Sequence, residues 1–194
     1  MSTRGTRRIP RATARDLVPV ELNLEGAFTK KVGVLLQELA KDGYIFMPYC
    51  GVRDPWTQAK RWRQSRTTSQ VQAALGFLKD RQAMFLYQVM TSVGPQTMSK
   101  WRTSALPGQS WHQYGLAVDC YLRSDDGTPE WDSGHPGYKA YADKARELGL
   151  TPGYYWRGKD AVHVQAESES PTEKLGWIAI DSKMARRFGN IDGL

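Results

Sequence analysis

Apolar positions along the chain follow two rhythms, and the changes between them mark the expected elements. Phe28, Val32, Leu35, Leu36 and Leu39 recur at offsets of 0, 4, 7, 8 and 11, one face of a helix, with Gly43 behind them as a stop. Residues 44–49 form a short aromatic and apolar run that reads as a strand, and Pro48 restricts it to an edge position or an early end. Asp54-Pro55 then starts a helix, the carboxylate capping and the proline at the first helical position. Arg53 is left at the strand-to-helix junction, with Gln58 one turn into the helix. Helical spacing returns over 68–93 through Val71, Leu75, Leu78, Phe85, Leu86 and Val89, and Gly76 or the Asp80-Arg81 pair divides it. This stretch is expected to wall or cover a site. Residues 94–109, with Gly94, Pro95, Pro107 and Gly108, read as loop.

The second half alternates more strictly. Over 116–122, Leu116, Val118, Cys120 and Leu122 share one side of a strand, and Ala117, Asp119 and Tyr121 the other. A polar loop is expected over 123–137 and a helix over 138–148, stopped by Gly149. A second strand over 161–165 has Val162 and Val164 on one face and His163 and Gln165 on the other. Ser170-Pro171-Thr172-Glu173 is a capping-box start for a last helical region. Helices mixed with a few non-consecutive short strands predict an α+β fold, a small antiparallel sheet with flanking helices. The expected organisation is a basic tail over 1–26 and one domain over 27–190.

Composition narrows this reading. A chain of 194 residues with 40% hydrophobic and 24% charged positions can bury a core without staples. No apolar run approaches the roughly 18 residues of a membrane span, and the basic start lacks the apolar region of a secretory signal. The expectation is a cytoplasmically made monomer that acts elsewhere only if another agent releases it. Of the net charge of +7, four units lie in residues 1–16, where Arg4, Arg7, Arg8, Arg11 and Arg15 face Asp16 alone. Such a tail can attract nucleic acid, anionic lipid or anionic wall, and composition does not choose among them; the expectation is a flexible tail with no specific partner. The rest of the chain has no nucleic-acid recognition motif. Cys50 and Cys120 lack paired metal or redox spacing and are expected to be buried free thiols.

The candidate chemistry lies in 110–119 and 160–163. His112, Asp119 and His163 provide two imidazoles and a carboxylate, the three-donor set of a catalytic zinc with one open position. Asp160 is a second carboxylate beside them, suited to take a proton from water. The odd separation of His112 and Asp119 would point them apart on one strand, so the backbone must turn between them, at Gly115. Against this stands the commoner fate of a histidine, a hydrogen-bonded residue that is not a ligand. His135, between Gly134 and Pro136, is read as an ordinary loop residue. There is no nucleophile elbow, P-loop or dinucleotide glycine motif.

Ser110-x-His112-x-x-Gly115-x-Ala117-x-Asp119, then Trp156 and Asp160-x-x-His163, resembles the zinc D-alanyl-D-alanine carboxypeptidase family of VanY type. That family includes the L-alanyl-D-glutamate endopeptidases of phage endolysins. Gly51-Val52-Arg53 with Gln58 is similar to its Gly-Tyr-Arg-Ser…Gln segment, with Val52 and Asp54 in place of Tyr and Ser, and the similarity runs over about 27–166. The resemblance implies a hedgehog-like zinc peptidase fold, with Zn²⁺ on His112, Asp119 and His163. Asp160 would be general base where many relatives have Glu, Arg53 would steady the oxyanion, and Ser110 and Gln58 would orient the peptide. The implied activity is cleavage of an amide bond in the peptidoglycan stem peptide by an endolysin. The alternatives are a carboxypeptidase trimming terminal D-Ala and, in another class, a non-catalytic zinc-containing wall-binding module.

Overall fold

The computed structural model describes residues 17–64, 66–96 and 102–189. The basic residues 1–16 lie outside the described residues. Five strands form one antiparallel sheet: β1 (Phe46–Cys50), β2 (Ala117–Arg123), β3 (Pro129–Glu130), β4 (Thr151–Pro152) and β5 (His163–Gln165). The order is β1-β2-β5-β4, with β3 pairing to the end of β2. β1 takes the edge as Pro48 requires, and its register slips between Pro48 and Cys50. The helices are α1 (Gly26–Lys41), α2 (Pro55–Arg63), α3 (Thr68–Asp80), α4 (Met84–Ser92), α5 (Pro136–Glu147), α6 (Pro171–Leu175) and α7 (Trp177–Phe188).

Two cores result. In the first, Val118, Cys120, Leu122 and Val164 from one sheet face pack on Phe28, Val32, Leu35, Leu36 and Leu39 of α1 and on Tyr138 and Tyr141 of α5. The second is helical and joins Ala59 and Trp62 of α2, Leu78 of α3, Leu86 and Met90 of α4, and Ile180 and Met184 of α7. Helices α3 and α4 thus build this second core. Their break falls beyond Asp80, where Gln82 takes a positive φ, and Gly76 stays inside α3.

Local signals account for most boundaries. Asp54 accepts from the Thr57 amide at 2.8 Å, and Ser170 and Glu173 form the expected capping box. α5 starts earlier than expected because Pro136 fits its first turn and His135 caps it, Nδ1 accepting from the Gly137 amide at 3.0 Å. The expected polar loop contains β3. The expected tail boundary at residue 26 moves back, because Val18 is buried in the first core, with Leu17, Leu22 and Leu24 packed against it. Residues 17–25 cross the loops that carry the site. The Val52 amide donates to Leu22 O at 2.8 Å and the Glu25 amide to Gly115 O at 2.9 Å.

Candidate metal centre

β2 and β5 place Asp119 directly opposite His163, and β1 places Cys50 opposite Asp119, so the three form one cross-strand row. His112 reaches this row from the 3₁₀ turn Trp111–Tyr114, which ends at Gly115 with φ of 73°. That left-handed residue reverses the chain between His112 and Asp119, and an added Cβ there would meet Asn23 O at 3.0 Å. The structure thus brings together His112 and Asp119, which their spacing on a single strand would have separated, and places His163 beside them.

The geometry is a triangle. His112 Nε2 lies 3.1 Å from Asp119 Oδ1 and 3.2 Å from His163 Nδ1, and His163 Nδ1 lies 3.0 Å from Asp119 Oδ1. Donors around a tetrahedral zinc lie roughly 3.3 Å apart, given bonds near 2.0–2.1 Å. Hydrogen bonds on the far side of each ring set the tautomers. His112 Nδ1 is 2.8 Å from Gly51 O, which only accepts, so Nδ1 carries the proton and Nε2 is bare. Gln165 Nε2 donates to Glu167 O, which turns Gln165 Oε1 toward His163 Nε2 at 3.1 Å and leaves His163 Nδ1 bare. Two imidazole lone pairs and a carboxylate oxygen therefore converge on one point. That convergence is repulsive unless a cation or a proton sits among them.

The electrostatics agree. Burial alone would lower the His163 pKa, but the hydrogen bond and charge of Asp119, with Asp160 nearby, outweigh it and hold the pKa up. His112 goes the other way: burial lowers its pKa despite Asp119. Burial pushes the Asp119 carboxyl up, but the two imidazoles more than reverse this and hold it well below the usual carboxylate range.

Arg53 is buried against the triangle. Its Nη1 donates to Gln58 Oε1 at 3.0 Å and its Nη2 to Cys50 Sγ at 3.4 Å, with Asp119 Oδ2 3.7 Å away, while its buried Nε has no hydrogen-bond partner. Gln58 does not reach the cleft. It is fully buried, and its Nε2 donates to Ala105 O at 2.8 Å, so it holds Arg53 from behind. Ser110 is half-buried at the entry to the 3₁₀ turn.

Asp160 stands at the rim on the loop before β5. Loss of water around its carboxyl, and then the charge of Asp119, raise its pKa, while His163, His112 and Arg53 oppose the rise. Gly153 permits this approach, since a Cβ there would lie 2.7 Å from Asp160 O. The Trp156 ring, half open to solvent, lies 5.0 Å from that of His163.

Two neighbours of the triangle were not assigned from sequence. Gln165 shares a strand face with His163, so its period-two spacing held the signal. Cys50 corrects the expectation of two buried thiols: both cysteines are free, but only Cys120 is buried. Cys50 is half-buried, with His112 and Asp119 donor atoms within 4.8 Å.

The sequence profile of VanY D-alanyl-D-alanine carboxypeptidases matches residues 21–168. No curated protein sequence matches significantly. Solved structures similar to this chain include the L-Ala D-Glu endopeptidase ChiX of Serratia marcescens (16% identity, TM-score 0.39, 80% of this chain and 86% of that one). Another is the LD-carboxypeptidase LdcB (16%, 0.45, 88% and 71%). A third is a mutant of the D,D-pentapeptidase VanY from a VanB-type resistance cassette in complex with Zn(II) (16%, 0.44, 83% and 89%).

Proposed function

The chain belongs to the VanY D-alanyl-D-alanine carboxypeptidase family, zinc peptidases that act on peptidoglycan, and from that premise we propose that it cleaves an internal amide bond of the stem peptide through a zinc held by His112, Asp119 and His163. The observation that carries the ligand assignment is the convergence of three bare donor atoms within 3.0–3.2 Å. Bound there, zinc supplies a Lewis acid for the scissile carbonyl and makes water acidic enough to lose a proton near neutral pH.

The chain's own residues do the rest. Asp160 takes the proton of the attacking water and passes it to the leaving amine, and its raised pKa suits both halves of that task. Arg53 steadies the negative charge that develops on the carbonyl oxygen, and Gln58 fixes the guanidinium. Ser110 and the Trp156 ring flank the approach and orient the peptide.

The endopeptidase reading rests on the motifs that resemble those of the L-alanyl-D-glutamate endopeptidases. The family's own description favours the second reading, a carboxypeptidase releasing terminal D-Ala. The endolysin role rests on the resemblance of the motifs to phage L-alanyl-D-glutamate endopeptidases. Mass spectrometry of digested sacculi separates these readings: new internal amino termini are expected, and free D-alanine as sole product would overturn the first. Asp160→Ala is expected to abolish cleavage with zinc retained, whereas unchanged cleavage would leave a site that binds metal without using it.

A further inference from the structure

Cys50 is the one member of the cross-strand row that the proposed chemistry leaves unused. It ends the edge strand β1, after the register slip, opposite Asp119. Its Sγ lies within 4.8 Å of one ligating atom of His112 and one of Asp119, a set that does not include His163. A thiolate bound to zinc at about 2.3 Å sits roughly 3.5 Å from the other donors of a tetrahedron, a difference that rotation about one side-chain torsion can cover.

Charge favours the same contact. Asp119 cancels one of the two charges of a divalent ion in a site whose side chains are nearly closed to water, and a thiolate cancels the other. Arg53 Nη2 already donates to Sγ at 3.4 Å and would steady the anionic sulfur. Thiolate is also the protein donor that zinc and cadmium bind most readily.

We propose that Cys50 is a fourth protein donor for this metal, closing the tetrahedron of His112, Asp119 and His163 until substrate takes its place. The thiol proton leaves to solvent as the metal–sulfur bond forms, with no change of oxidation state. The inference rests on the metal-centre reading above. It adds to that reading a resting state in which the position needed for catalysis is closed by the enzyme itself.

The test is optical, on the full-length protein loaded with cobalt(II) without substrate. A near-ultraviolet sulfur-to-cobalt charge-transfer band is expected beside the visible bands of a four-coordinate ion. Cys50→Ser should lose the first and keep the second, and Cys120→Ser should keep both. Visible bands without the charge-transfer band in the wild-type protein overturn the role of Cys50 and leave the three-donor centre standing. No cobalt uptake at all overturns the centre and this inference with it. Alkylation of the unmodified chain is a check that needs no variant. Saturating zinc should slow iodoacetamide labelling of Cys50, followed by peptide mass spectrometry, at least about tenfold, and an unchanged rate overturns the proposal.

Discussion

The two cores are built by opposite means, and the site lies on the seam between them. The first is a sheet face closed by α1 and α5, and it determines where Asp119 and His163 stand: Val118 and Cys120, buried on either side of Asp119 in sequence, force that carboxylate to the other face. The second is mostly helix on helix, and it determines where Arg53 and His112 stand, because α2 is anchored there through Ala59 and Trp62 and the turn carrying His112 through Trp111 and Tyr114. Leu116 packs against both. On the proposed reading, the sheet half thus carries two of the three metal donors, and the helical half anchors the third together with Arg53.

The largest expected effect breaks the first half alone. Asp119→Ala or His163→Ala removes one corner of the triangle, so zinc affinity should fall by well over about 100-fold, beyond what loss of an outer partner costs. Activity should disappear with it. Leu86→Ala in the second core should cost about 2–5 kcal/mol of stability while the folded protein keeps one zinc per chain. Elemental analysis beside calorimetry reads both, and a Leu86→Ala protein that loses its zinc while folded would show that the halves are not separate.

Next in size is the seam itself. Arg53→Met should lower kcat by about 10²–10³, the range for loss of one oxyanion-stabilising donor, with zinc content unchanged. Gln58→Leu should lower it less, because Gln58 acts through Arg53. Steady-state kinetics on a purified stem peptide gives both values, and equal effects would place Gln58 in contact with substrate after all.

A smaller effect is expected where a ligand is only oriented. Gln165→Leu removes the acceptor that keeps the proton on His163 Nε2, and zinc affinity should drop about 10–100-fold. Competition with a chromophoric chelator measures it, and an unchanged affinity would mean that the His163 tautomer is set elsewhere.

What could be read from sequence follows the same division. The alternation of 116–122 placed Asp119 correctly because one sheet face is apolar, and Gly115 marked the turn that brings His112 back toward it. Long-range register was not legible: nothing local says that Cys50 and His163 fall opposite Asp119, since strand pairing is a tertiary outcome. The resemblance has Gln58 orient the peptide, and only the fold, with Gln58 buried and its Nε2 donating to Ala105 O, shows it enclosed. In sequence, the charge of 1–16 masks the apolar positions Leu17, Val18, Leu22 and Leu24, which the fold packs on the first core.

The smallest effect is a pH dependence, and its sign follows from the unlike histidines. His163 has a folded pKa above its ordinary 6.5, after Asp119 and Asp160 overcome burial. Its proton therefore stabilises the metal-free fold below pH 6.5, and that contribution fades as pH rises through the folded value. Zinc needs the same Nδ1 lone pair, so its apparent affinity should fall about tenfold for each pH unit below that value. His112, its pKa lowered by burial, adds less to this slope than His163 does. The melting-temperature increase at fixed zinc should thus grow from pH 6 through pH 8, in the direction opposite to the His163 term of the metal-free protein. A zinc-induced increase that stays flat over that interval would remove His163 from the ligand set, leaving the helical half untouched and the sheet half without its metal.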